Sequence, residues 1–111
     1  MTDRDRLGHI IEAIEKIENS LKGTDKEMFL RNEDLKDASY GRLVMISEAV
    51  TRLSKELKDE HKEIEWHLIT GFRNIIVHEY FRINWNIVWE IVSEDMPILK
   101  KKIVELLGVI E

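Results

Sequence analysis

A helical spacing of apolar residues runs through almost the whole chain, and very little in the sequence interrupts it. Leu7, Ile10, Ile11, Ile14, Ile17 and Leu21 recur at i, i+3, i+4 and i+7, the pattern of a helix that buries one face. Five glycines and one proline in 111 residues leave few places for the tight turns that hairpins need. The spacing therefore predicts an all-α fold.

Gly23 is placed to close the first helix, because a glycine just past the last turn takes the left-handed conformation without steric cost. In "TDKE", Thr24 can cap the amide of Glu27 while the Glu27 side chain reaches back, and a short helix through about Leu30 would follow. A third helix reads from about Glu33 to Leu57, with Leu35, Ala38, Leu43, Ile46, Ala49, Val50, Leu53 and Leu57 as its seam. Residues 58 to 65, "KDEHKEIE", break the rhythm and read as a solvated connection. A fourth helix would start near Trp66 with Leu68, Ile69, Phe72, Ile75 and Ile76 on one face. Asn84 is placed to cap a last helix carrying Val88, Ile91, Val92, Leu99, Ile103, Leu106 and Leu107. Pro97 falls inside that helix, where it removes a donor and crowds the carbonyl four residues back. A kink near Glu94 to Pro97, or a break with a fresh start, is expected. Four long helices and one short one, joined by short links, would pack as an antiparallel up-and-down bundle.

The length suits one domain spanning residues 1–111, since single cores usually take about 100 to 200 residues. With no cysteine, neither a disulfide nor a thiolate zinc site can hold the fold, and burial must do so. The N-terminus lacks the apolar stretch of a signal peptide, and no apolar run approaches the roughly 20 residues that span a bilayer. A soluble, cytoplasmic protein is expected. The net charge of −5 argues against general nucleic-acid binding, which draws its affinity from Lys and Arg. Any role on RNA would need a local basic site.

Most candidate clusters have ordinary readings. The glycines are isolated, so no phosphate-cradling loop is present. His61 and His67 with Glu63 and Glu65 read as a solvated linker, and we assign no metal and no cofactor. Trp85 and Trp89, four apart, share one side of the last helix and read as packing or interface residues, although with Tyr80 and Phe81 they could stack bases.

"RNIIVHEYF" at residues 73 to 81 is different, because its polar groups are chemically related. Arg73 offers a permanent planar cation suited to phosphate, and His78 can exchange protons near neutral pH. On an unbroken helix the step between them turns about 140° and rises about 7.5 Å, so the pair would diverge. Convergence requires the helix to end or bend near Val77. Residues at that position could equally serve as partners for a helix C-terminus.

"FRNIIVHEYF" closely resembles the Arg-x4-His-x-Tyr signature of the HepT-like group within the HEPN superfamily of helical ribonucleases. "IEAIEKIE", "ISEAVTRLSKEL", "IEWHLITGFRN" and "INWNIVWEIVSEDMPILKKKI" resemble the flanking family segments, in the same order and over nearly the whole chain. One departure is Glu65 before Trp66, where many relatives have proline. The resemblance implies a HEPN bundle that dimerises around one composite cleft. It further implies the toxin of a type VII-like toxin–antitoxin system, partnered by a small MntA-type nucleotidyltransferase antitoxin. Carried over by position, Arg73 and His78 match the catalytic pair and Asn74 the polar residue after the arginine. Tyr80 matches the tyrosine that the antitoxin adenylylates, and Glu48 lies where family members often carry a glutamate.

On that resemblance the expected activity is metal-independent cleavage of RNA. His78 would assist deprotonation of a 2′-OH and Arg73 would stabilise the phosphoryl charge, giving a 2′,3′-cyclic phosphate and a 5′-hydroxyl. DNA lacks the 2′-OH and should be inert. AMP on Tyr80 would add charge and bulk beside the phosphate site. An alternative is a non-catalytic subunit that binds substrate or nucleotide for a two-protein nucleotidyltransferase, and a purely structural dimer is a third.

Overall fold

The computed structural model describes residues 1–78 and 82–110, with the backbone alone described at residues 73, 77 and 78. The helices are α1 (Asp3–Leu21), α2 (Lys26–Arg31), α3 (Glu33–Thr51), α4 (Lys55–Glu60), α5 (Trp66–Thr70), α6 (Phe72–Ile76), α7 (Trp85–Glu90) and α8 (Met96–Leu107). Two short strands, β1 (Val77–His78) and β2 (Arg82–Ile83), pair antiparallel. The all-α expectation holds, but the helices are cut differently from the sequence pattern.

α1 is the central element, packing along α3 on one side and α8 on the other. Its seam is as spaced: Leu7, Ile10, Ile14 and Ile17 are buried, with Ile11 and Leu21 at the margins. Burying one such aliphatic side chain is worth about 1.5–3 kcal/mol, so this stripe anchors the core. A capping box starts α1, Thr2 Oγ1 accepting from the Asp5 N–H at 3.1 Å and Asp5 Oδ2 from the Thr2 N–H at 3.1 Å. Gly23 ends it at φ 73°, the left-handed conformation that glycine adopts freely.

The next boundary shifts by one residue. Asp25, rather than Thr24, caps α2, its Oδ1 accepting from the Met28 N–H at 2.9 Å. Asn32 caps α3 in the same way through the Leu35 N–H. α3 stops at Thr51 instead of running on to Leu57, and its core face holds Ser39 where the pattern favoured Ala38, which is exposed.

The presumed linker is structured. Ser54 caps α4 at the Leu57 N–H, and Asp3 of α1 accepts from the Ser54 N–H and hydroxyl at 2.9 and 2.6 Å. Leu57 and Ile64 are buried, and the Trp66 indole donates to the His61 carbonyl at 3.0 Å. The apolar rhythm missed this because one buried residue per turn of a short helix sets no period.

The irregularity expected near Pro97 is present as a change of helix type, with no loop between the two parts. Residues 91–95 form a π turn between α7 and α8, in which the Met96 N–H reaches back to the Ile91 carbonyl. The wider turn takes up one extra residue, and Pro97 falls in the first turn of α8, where a missing donor costs least. The Ser93 hydroxyl donates to the Trp89 carbonyl at 2.6 Å, occupying an acceptor that the regular helical ladder would use. Val88, Ile91, Val92, Met96, Leu99, Ile103 and Leu106 are all buried along the run.

Candidate functional site

Between Trp66 and Ile83 the described residues form only short elements, α5, α6, β1 and β2. Gly71, at φ −89° and ψ 8°, separates α5 from α6. The N–H groups of Asn74 and Ile75 then bond to the Gly71 carbonyl and begin a new turn. Trp66, Ile69, Phe72 and Ile76 are buried, whereas Leu68 and Ile75 are exposed rather than sharing the buried face.

α6 carries Arg73 and Asn74 and ends at Ile76, so the helix does stop short of His78. From Val77 the backbone is extended, with Val77 opposite Ile83 and His78 opposite Arg82. The Asn84 N–H closes the return on the Ile76 carbonyl at 2.7 Å. Asn84 then caps α7, its Oδ1 accepting from the N–H groups of Asn86 and Ile87 at 3.1 and 3.3 Å. Directly opposed residues of an antiparallel pair have Cα atoms roughly 4.5–5.5 Å apart, so the register brings Arg82 next to His78. Tyr80 lies outside the described residues, as do Glu79 and Phe81.

A groove of about 270 Å³ lies between α3 and α6. Phe72 and Ile76, which bracket Arg73 and Asn74 in the sequence, form one wall; Tyr40, Ser47, Glu48 and Thr51 of α3, with Arg52 just past its end, form much of the other. Glu48 is therefore on the same groove as the helix of the Arg-x4-His motif. Its carboxylate stands 3.8 Å from the Arg52 guanidinium, with both side chains about two-thirds exposed at 63% and 68%. Exposed pairs one turn apart contribute only about 0.3–0.5 kcal/mol, so either group can turn to a ligand at little cost. Asn74 is exposed. Ser47 also ties α3 to the end of α5, its hydroxyl donating to the Thr70 carbonyl at 3.2 Å.

Tyr40, Ser47, Thr51 and Arg52 escaped the reading of the sequence, which took α3 for its apolar seam alone. The signal was there in the i, i+4 pair Glu48–Arg52 and in hydroxyls at helical spacing beside it. Trp85 and Trp89 serve packing: Trp89 lies 5.2 Å from the Phe29 ring, and Trp85 meets Tyr40 edge-on at 6.3 Å with Lys36 over its face. His61 pairs with Glu63 at 3.3 Å. Among the described residues no cluster of three His, Asp or Glu side chains could hold a metal ion, and no helix is long and apolar enough to cross a membrane.

The family model for HepT-like ribonucleases matches residues 10–106. A protein of Caldanaerobacter subterraneus subsp. tengcongensis, named as a candidate RNase, is 36% identical over 106 residues, covering 96% of this chain and 95% of its own. A protein of Thermococcus cleftensis named as a probable ribonuclease HepT is 34% identical over 103 residues, 93% of this chain and 94% of its own. A candidate RNase of Methanocaldococcus jannaschii is 30% identical over 97 residues, 87% of this chain and 89% of its own. No solved structure gives a significant match. With the family model covering most of the chain and full-length relatives above 30% identity, this protein belongs to the HepT-like ribonuclease family.

Proposed function

We propose that this chain is a metal-independent endoribonuclease and the toxin of a type VII-like toxin–antitoxin pair, with Arg73 and His78 as its catalytic residues. The observation that carries the reading is the end of α6 at Ile76, which frees His78 from the helical arc that would turn it away from Arg73. Family membership supports RNA as the substrate. His78 takes the proton of a ribose 2′-OH as that oxygen bonds to the adjacent phosphorus, and the bond from phosphorus to the 5′-oxygen breaks. The leaving oxygen takes up a proton to become the 5′-hydroxyl. Arg73 balances the charge that grows on the phosphoryl oxygens, a kind of stabilisation worth most where water is excluded.

Asn74 and Glu48 support this pair from the two walls of the groove. Two copies of the chain would bring two such grooves into one cleft, with Arg82 adding positive charge to an otherwise acidic protein. A partner nucleotidyltransferase of the MntA type switches the enzyme off by adenylylating Tyr80, two residues beyond His78. The added phosphodiester repels RNA and the nucleotide occupies its space. Both partners would work in the cytoplasm, where the RNA is.

The test is cleavage of single-stranded RNA in EDTA by the wild type, Arg73→Ala and His78→Ala. Cyclic-phosphate products from the wild type, with losses of about 10²–10⁴ in the variants, are expected. RNA left whole by the wild type would overturn the nuclease reading and leave the nucleotide-binding subunit and the structural dimer. For the switch, incubation with ATP and the partner should add AMP-sized mass to the peptide holding Tyr80, and a Tyr80→Phe protein should stay active.

A further inference from the structure

The acidic balance of the chain conceals a basic strip beside the candidate site. A second groove of about 310 Å³ runs between α1 and α3, lined by Arg6 and His9 on one side and by Met45, Glu48 and Arg52 on the other. It shares Val44, Glu48 and Arg52 with the groove against α6, so the two meet across the crest of α3. Helical spacing extends the strip. Lys16 lies two turns beyond His9 on α1, and Arg42 one turn before Met45 and Ile46 on α3.

Arg6, Arg42 and Lys16 make no ion pair among the described residues, and Arg52 has only the long contact with Glu48. Arg6, Arg52 and His9 thus line the groove with one carboxylate, Glu48, and Lys16 and Arg42 continue it by helical spacing. Asp5 and Glu12 lie one turn either side of His9, and Glu12 one turn before Lys16; neither lines the groove, and Asp5 is engaged in the cap with Thr2. The protein as a whole carries −5, so this strip runs against its background. The floor is apolar, formed by Ile10, Ala13, Val44 and Ala49, and Met45 stands 63% exposed above it.

We infer that the α1–α3 strip is a track for the sugar–phosphate backbone of single-stranded RNA, leading the strand into the groove beside Arg73. The inference rests on the ribonuclease reading for its direction toward the motif. Charge complementarity and the shared crest commit it to an anionic strand. The apolar floor selects unpaired bases, whose faces a duplex hides. With no aromatic ring lining it, the track holds phosphates and tolerates sequence.

The test uses the full chain and a long, labelled 2′-O-methyl RNA, which binds but has no free 2′-OH to react. Arg6→Gln/Arg42→Gln should weaken binding about tenfold at low salt. It should also flatten the dependence of log affinity on log salt by about 1.4, since each cation lost from a single-strand site removes about 0.7. Lys16→Glu, at an exposed position that cannot disturb folding, should weaken binding in the same direction. Cleavage of a dinucleotide, too short to leave the motif groove, should be unchanged in both. Binding of the long RNA at wild-type strength by the variants overturns the track. So does loss of dimers on sizing, which would make the strip a protein interface. If the wild type cuts no RNA while the binding contrast persists, the ribonuclease reading falls and the track stands.

Discussion

Two helical runs in this chain meet an interruption, and they respond in opposite ways. The run from Trp85 to Leu107 contains the one proline and continues through it; the run from Trp66 to Ile76 contains none and stops. In the first, core residues lie on both sides of the π turn over residues 91–95, Val88 before it and Met96, Leu99 and Ile103 after it. Breaking the helix would expose one half, so the backbone absorbs the proline as a π turn. In the second, Trp66, Ile69, Phe72 and Ile76 are buried, while Leu68 and Ile75 are exposed. The helix ends at Ile76, and the backbone at Val77 and His78 is extended and pairs with Ile83 and Arg82. Packing on both flanks, more than local helix propensity, decides where these helices end.

The sharpest separation between the two runs should come from activity. His78→Ala is expected to lower RNA cleavage by about 10²–10⁴, with a circular dichroism spectrum like that of the wild type. Met96→Ala should do the reverse, costing about 2–5 kcal/mol in urea denaturation, as truncations of buried side chains do. If it spared stability, the two-sided anchoring of the last helix would be wrong.

Pro97→Ala is a milder probe. Removing the π turn would rotate α7 against α8 by about 100° and pull Val88 from the core. The turn should therefore persist, with a gain below the roughly 3 kcal/mol that separates alanine from proline inside a regular helix. A crystal structure of the variant with regular i, i+4 bonding across 91–96 would contradict this.

The smallest effect concerns Asp95 at the end of the π turn. Burial, and then Glu94 and Glu90, push its carboxyl above the usual range. A raised folded-state value means the charged form is disfavoured in the native protein, so Asp95 costs stability once pH rises above the unfolded carboxylate range. Asp95→Asn should therefore melt slightly higher at neutral pH, and the gain should vanish below about pH 4. A gain that grew on acidification would reverse the sign.

The elements that could be read in advance are those whose signal is burial. The α1 seam, Gly23 and the Asn84 cap follow from spacing and from backbone groups within one or two turns. Thr24 and Asp25 were not separable, because both are good caps and the fold decides between them. The end of α3 at Thr51 was hidden because Leu53 and Leu57 continue its apolar spacing while the backbone leaves the helix. Of the candidate site, Arg73 and His78 stood out by chemistry, and the resemblance supplied their roles. The facing wall did not, since Ser47 matters through the Thr70 carbonyl, 23 residues away in the chain.

One further consequence lies far from the motif. Arg4 donates to the carbonyls of Leu107 and Ile110 at 3.2 and 2.8 Å, joining the first turn of α1 to the far end of α8. A ribosome adding about 5–20 residues per second needs roughly 5–20 s to travel from one to the other. Until then α1 has no α8 to lie against, and the bundle cannot close. Synthesis itself therefore imposes a delay during which a chain of this kind is made but not yet assembled.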